Sequence, residues 1–141
     1  MSEWQQREIR LQTSGRGFYQ LNRQVSAFVS ESGIKTGLCH CFVRHTSASL
    51  LITENADPDV LRDLEHYFLK HVPDGDPAFL HNAEGPDDMP AHIRSMWTGC
   101  SHGIPIKEGR LALGTWQGLY LWEHRTRPHQ RKVLVTLAGT E

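Results

Sequence analysis

The chain has 141 residues, with 15 Lys plus Arg against 16 Asp plus Glu, a net charge of -1, and nine histidines. That length suits one domain, because two separate cores would each bury too little surface. The near-zero charge supplies no field to attract nucleic acid or an acidic membrane. Cys39, Cys41 and Cys100 lack C-x-x-C spacing. No apolar run approaches the ~18 residues of a membrane helix, and the N-terminus carries no signal-peptide pattern, so the expectation is a cytoplasmic protein. The histidine content is the one compositional feature that points to chemistry, since imidazole titrates near neutrality and ligates metals.

Residues 3–12 predict a strand, closed by a turn at Ser14-Gly15-Arg16-Gly17. Over residues 22–32, Val25, Phe28 and Val29 recur at helical spacing, with Asn22 placed to cap the start and Gly33 to stop the helix. Residues 37–44 alternate Cys39, Cys41 and Val43 against Leu38, His40 and Phe42, which predicts a strand buried on at least one face. Residues 50–53 read as a further strand. Asp57-Pro58 then opens a helix, Asp57 as its cap and Pro58 at the first helical position. Val60, Leu61, Leu64, Tyr67 and Phe68 form the buried stripe expected of that helix. Residues 72–90 are rich in Pro, Gly and acids, and an irregular stretch of that length in a small domain is a functional or disordered one. A short helix is predicted over 91–97, followed by strands at 101–106, 110–113, 115–124 and 131–137. The tally gives a single α+β domain over 1–141, a mostly antiparallel sheet with two or three helices.

Four segments gather polar groups where strands end. His45-Thr46-Ser47-Ala48-Ser49 offers hydroxyls and backbone N–H groups that suit an anion, or a plain polar turn. In Glu54-Asn55-Ala56-Asp57 the aspartate either caps its helix or helps to hold a divalent cation, capping being the commoner role. Residues 81–92 concentrate His81, Glu84, Asp87, Asp88 and His92 on a loop that a ligand, metal or partner would order. The alternative there is a solvated acidic turn. In 115–125 the period-two split puts Glu123 on one face with Leu119 and Leu121. A carboxylate in such surroundings needs a partner or a proton, which makes Glu123 an acid/base candidate or else a residue paired with Arg125 or Arg131. Trp116 can stack on a flat ring or belong to the core. No histidine pair has H-E-x-x-H spacing, so a zinc site would draw on separate segments. There is no P-loop, G-x-G-x-x-G or G-x-S-x-G.

Taken in order, H-T-S-A-S-L (45–50), E-N-A-D-P-D-V (54–60), E-G-P-D-D-M-P-A-H-I (84–93) and G-T-W-Q-G-L-Y-L-W-E-H-R (114–125) closely resemble the YjbQ family. The resemblance runs from about Gly15 to the C-terminus. It implies a small α+β fold with a curved, mostly antiparallel sheet, assembled as a homotrimer with pockets near the subunit contacts. It also implies secondary thiamine-phosphate synthase activity, a weak transferase reaction that joins a pyrimidine diphosphate to a thiazole phosphate. The family's motif residues fall here on His45, Asp57, His81, Asp88, His92, Trp116, Gln117 and Glu123. One departure is Ser101-His102-Gly103, where the family has a more apolar strand.

For such a synthase, Thr46, Ser47 and Ser49 with Arg131 are the candidate phosphate nest, and Asn55, Trp116 and Gln117 further ligand contacts. Asp57 and Asp88 are placed to hold Mg²⁺ on the leaving diphosphate, while His45, His81 and His92 would donate protons or ligate a softer metal such as Zn²⁺. The competing expectation is a non-catalytic trimer that binds a metal or a phosphorylated metabolite with the same residues. A purely structural trimer is the third, disfavoured by polar groups clustering at strand ends.

Overall fold

The computed structural model describes residues 2–141. In chain order the elements are β1 (Ser2–Gln12), β2 (Gly17–Gln20), α1 (Asn22–Ser32), β3 (Thr36–Val43), β4 (Ala48–Glu54), α2 (Pro58–His71), α3 (Asp88–Thr98), β5 (Ser101–Lys107), β6 (Arg110–Leu111), β7 (Gln117–Glu123) and β8 (Gln130–Thr140). Every strand pairing is antiparallel, in a five-stranded sheet ordered β1-β8-β3-β5-β6 and a three-stranded sheet ordered β2-β7-β4. The single α+β domain expected from the sequence is therefore what forms, with its antiparallel strands divided between two sheets.

Alternation along the strands decides where the core lies. Cys39, Cys41 and Val43 on β3, Ile104 and Ile106 on β5, and Val133, Val135 and Leu137 on β8 all turn inward and are buried. They meet Leu50, Leu119 and Leu121 of the smaller sheet and Val25, Phe28 and Val29 of α1 in one cluster. The smaller sheet is covered on its other face too, where Trp122 packs with Phe68 and Val72 of the α2 segment and with Ile93 of α3. Arg94 of α3 ties the two helices together by donating Nη1 to Glu65 Oε2 of α2 at 2.7 Å, and Trp122 Nε1 donates to the other oxygen at 3.2 Å. Hence β7 is buried on both faces, which a period-two reading cannot show.

The structure departs from the sequence pattern at the starts of α1 and α3 and along the stripe of α2. Asn22 does not cap α1; Leu21 holds that position, and Asn22 Oδ1 instead accepts from the Leu119 N–H at 2.7 Å. Gly33 does end α1, in the left-handed conformation with φ 77°. The stripe on α2 is covered only in part, for Phe68 alone is buried and Tyr67 is 53% exposed. The third helix begins at Asp88 rather than at residue 91. The two residues out of pattern in β5 are accommodated: His102 Nε2 lies 3.1 Å from Leu50 O, and the strand pairs with β3 along its length.

Candidate metal centre

The loop between α2 and α3 is pinned at its end by two consecutive aspartates. Gly75 donates its N–H to Pro86 O at 3.0 Å, which draws the loop back on itself. Asp87 Oδ2 then accepts from Arg125 Nε at 3.0 Å, from Thr126 N at 2.8 Å and from Thr126 Oγ1 at 3.2 Å. Burial works to raise the Asp87 pKa, but the Thr126 N–H and the Arg125 guanidinium outweigh it and hold it at about 2. Arg125 also donates Nη2 to Glu84 O at 2.9 Å and Nη1 to Asp88 Oδ1 at 2.8 Å. One guanidinium thus fixes both ends of the loop's last turn.

Asp88 is the first residue of α3 and is only 2% exposed. With Oδ1 occupied by Arg125, its Oδ2 faces two imidazoles: His92 Nε2 at 3.2 Å, one turn further along the helix, and His81 Nε2 at 2.7 Å, from the loop. The rings meet edge to face with centroids 5.3 Å apart. The three ligand atoms lie within 4.8 Å of one another. Burial opposes ionisation of Asp88, yet the His81 hydrogen bond and the Arg125 charge lower its pKa, so it stands as a carboxylate.

Two imidazole nitrogens with one carboxylate oxygen are the donor set of a Zn²⁺-type or related transition-metal site, whereas Mg²⁺ prefers oxygen ligands. Side-chain exposure of 50% at His81 and 34% at His92 leaves one side open to further ligands. A groove of about 310 Å³ is lined by His81, but by neither Asp88 nor His92, and is walled by Pro77, Phe79, Pro86 and Met89 with Asp76 and Asn82. It contains no Lys or Arg among its lining residues.

The other sequence candidates do not join this triad. His45 Nε2 accepts the Lys132 backbone N–H at 2.8 Å, so its lone pair is already engaged; burial and then the Arg131 charge lower its pKa. Asp57 caps α2 by accepting from Asp59 N at 2.9 Å, the commoner of its two expected roles. Glu123 is fully buried and paired with Arg131, which donates Nε to Oε1 at 2.8 Å, while Thr13 Oγ1 donates to the same oxygen at 2.8 Å. Arg131 also donates to Ser47 Oγ at 2.9 Å, and Ser49 Oγ lies 2.8 Å from His124 Nε2. The expected phosphate nest is therefore filled by the chain's own Glu123, and Thr46 alone remains exposed. Asn55, just past the end of β4, and Gln117, at the start of β7, line a separate cleft, and Trp116 is 64% exposed.

Arg125, which the sequence offers only as a partner of Glu123, instead organises Asp87, Asp88 and Glu84. A signal did exist in the consecutive acids Asp87-Asp88, which call for a nearby cation once the loop is folded.

The family described as "UPF0047 protein YjbQ-like" matches residues 7–140. The chain belongs to the YjbQ family. It is 58% identical over 127 residues to a UPF0047 protein of Synechocystis sp., covering 90% of this chain and 86% of that one. Against the YjbQ protein of Salmonella typhimurium it is 47% identical, covering 96% and 99%. Among solved structures, a YjbQ/UPF0047 family protein from Clostridium acetobutylicum aligns with a TM-score of 0.85 at 39% identity, over 92% of this chain and 98% of that one. A protein of unknown function from Sulfolobus solfataricus aligns with a TM-score of 0.90 at 25% identity, over 99% of both chains. These similarities establish the family and its fold, and none of these relatives is named for a reaction.

Proposed function

We propose that this chain is a metal-dependent protein whose centre is Asp88, His81 and His92, and that it acts on a small molecule held in the groove beside His81. The observation that supports this most directly is one buried carboxylate oxygen shared by two imidazole Nε2 atoms, with the rest of that carboxylate fixed by Arg125. When bound, the metal supplies Lewis-acid polarisation of a ligand oxygen. Arg125 holds Asp88 in its rotamer and ionised, and Asp87 holds Arg125. Phe79, Pro86 and Met89 give the groove an apolar wall.

The thiamine-phosphate synthase reaction implied by the resemblance meets this centre at one point, neutralisation of the departing diphosphate. Since the groove has no Lys or Arg of its own, the metal is the cation there. Binding of a phosphorylated metabolite without turnover uses the same geometry and is the alternative. A homotrimer is proposed on the uncovered outer face of the larger sheet, where Trp4, Leu38 and Phe42 are 74%, 48% and 40% exposed. The three free thiols, Cys100 among them exposed, suit a cytoplasmic, reducing compartment. No helix among the described residues is long and apolar enough to cross a membrane.

Elemental analysis of the purified chain, with solution mass by light scattering and assay of thiazole phosphate plus pyrimidine diphosphate, tests these readings together. About one transition-metal ion per chain, lost in Asp88→Asn and His92→Ala, supports the centre. Wild-type protein that takes up no Zn²⁺, Mn²⁺, Fe²⁺ or Ni²⁺ on addition refutes it.

A further inference from the structure

The cleft at the opposite end of β7 is a separate feature with its own chemistry. It holds about 420 Å³ between α1, β6 and the loop that leads into β7. Gln117 lines it, whereas Asp88 of the proposed metal site bonds Arg125 beyond the far end of the same strand. Glu123 lies six residue steps along the strand from Gln117, about 20 Å at the usual rise. A molecule in the cleft does not reach the metal centre of its own chain.

Three of the side chains lining this cleft present donors, Gln117, Asn22 and Arg110, whereas Asn55 donates its Nδ2 to Gln117 O at 3.4 Å and keeps Oδ1 as an acceptor. Gln117 Oε1 accepts the Gly114 N–H at 2.8 Å, and Asn22 Oδ1 accepts the Leu119 N–H at 2.7 Å. A backbone N–H only donates, so the atom facing it must be the amide oxygen, and the NH₂ ends are the ones left free. Ser26 and Ser30 follow Asn22 at intervals of four along one face of α1. Arg110 stands at the rim with no ion pair among the described residues, and no lining residue is acidic. Leu111 and Leu113 supply an apolar wall.

We infer that this cleft binds a small oxyanion-bearing molecule, its phosphate or carboxylate group on Arg110 and the amide NH₂ groups of Gln117 and Asn22, its body against Leu111 and Leu113. A guanidinium fork beside neutral donors is the arrangement that recognises such a group, and the volume falls within the range of small-molecule sites. The inference stands independently of the metal reading.

Titration calorimetry of the full chain in a chelator, with inorganic phosphate and with succinate as probes, tests it. Saturable binding of either probe is expected, unchanged in His92→Ala and weakened at least about tenfold in Arg110→Gln, the loss of a charge-assisted hydrogen bond. Gln117→Leu is the second variant and should weaken binding as well. Preference for phosphate assigns a phosphate ester, and preference for succinate assigns a carboxylate. No saturable binding of either probe, an affinity indifferent to Arg110→Gln, or binding lost in His92→Ala would each overturn the site.

Discussion

Arg125 lies directly behind Asp88, donating Nη1 to Oδ1 at 2.8 Å and thereby leaving Oδ2 as the oxygen that faces His81 and His92. Since Arg125 touches neither imidazole in the hydrogen-bond pattern, its influence on a metal is positional. Arg125→Lys keeps the charge but cannot span Asp87, Asp88 and Glu84 at once. Metal affinity is expected to fall about 10–100-fold with the stoichiometry preserved, as for other residues that orient ligands. Competition with a chromophoric chelator measures this. An affinity equal to wild type would remove Arg125 from the site, whereas Asp88→Asn should lose the metal outright.

His124 makes stability fall with acid. It is fully buried with Nε2 2.8 Å from Ser49 Oγ. Burial pushes its pKa well below the ordinary value, and the charges of Arg94, Arg16 and Arg131 push the same way. Glu65, Asp74 and Glu123, the carboxylates paired with those arginines, balance their charge without restoring a protonated imidazole. In the unfolded chain the imidazole takes a proton near pH 6.5, which the folded chain refuses, so stability declines as pH drops below about 6.5. The slope from this group approaches about 1.4 kcal/mol per pH unit. Denaturant unfolding at pH 8, 7, 6 and 5 should show the decline, and His124→Gln should lessen it. Half-buried His45 contributes in the same direction by a smaller amount. An identical pH profile in His124→Gln would sink this account.

Glu123 and Arg131 predict a stability effect where the sequence suggested catalysis. Each is almost wholly buried, and Thr13, Ser47 and the Arg125 N–H supply the remaining hydrogen bonds. Removing one partner strands the other charge in the interior, which costs about 3–5 kcal/mol. Glu123→Gln should therefore lower Tm by on the order of 10 °C. The double variant Glu123→Gln, Arg131→Met recovers part of the loss, because the stranded cation is gone. Metal binding per folded molecule should stay at the wild-type level in both, measured well below their melting points. Metal lost from a still-folded Glu123→Gln protein would return that residue to the site.

The candidate site at Asp88, His81 and His92 was half legible, and the reason is a helix boundary. Pro90 reads as the end of the loop, which places the expected helix start after it, at residue 91. A proline in the first turn loses no intrahelical hydrogen bond, and α3 runs back to Asp88. That shift of three residues hides the i, i+4 spacing of Asp88 and His92, which is what puts both on one helix face. The approach of His81 depends on Arg125 and Thr126 seizing Asp87, contacts 38 and 39 residues apart in sequence that no local pattern carries. By contrast, α1, β3 and the start of α2 followed from Gly33, from the Cys39–Cys41–Val43 alternation and from Asp57-Pro58, each a local signal. The four-residue β2 left none, being too short to show a period.

A pair of glycines gives the last prediction, since β3 and β8 approach where Gly37 lies opposite Gly139. A Cβ on Gly37 would stand 2.1 Å from Ala138 O and 2.8 Å from Gly139 Cα; one on Gly139 would stand 2.2 Å from Thr36 O. These neighbours are backbone, held by the ladder on both sides, so neither can swing away as a side chain would. Gly37→Ala must part the strands at the end of the larger sheet and is expected to cost about 3 kcal/mol, the upper end for overpacked core sites. Gly103, on the neighbouring strand, is the control: its added Cβ would meet only Leu38 Cδ1, at 3.5 Å, an ordinary contact. Gly103→Ala should stay within about 0.5 kcal/mol of wild type. Urea unfolding of the two variants side by side measures the contrast, and equal midpoints would mean that the β3–β8 ladder yields at Gly37 far more readily than its packing indicates.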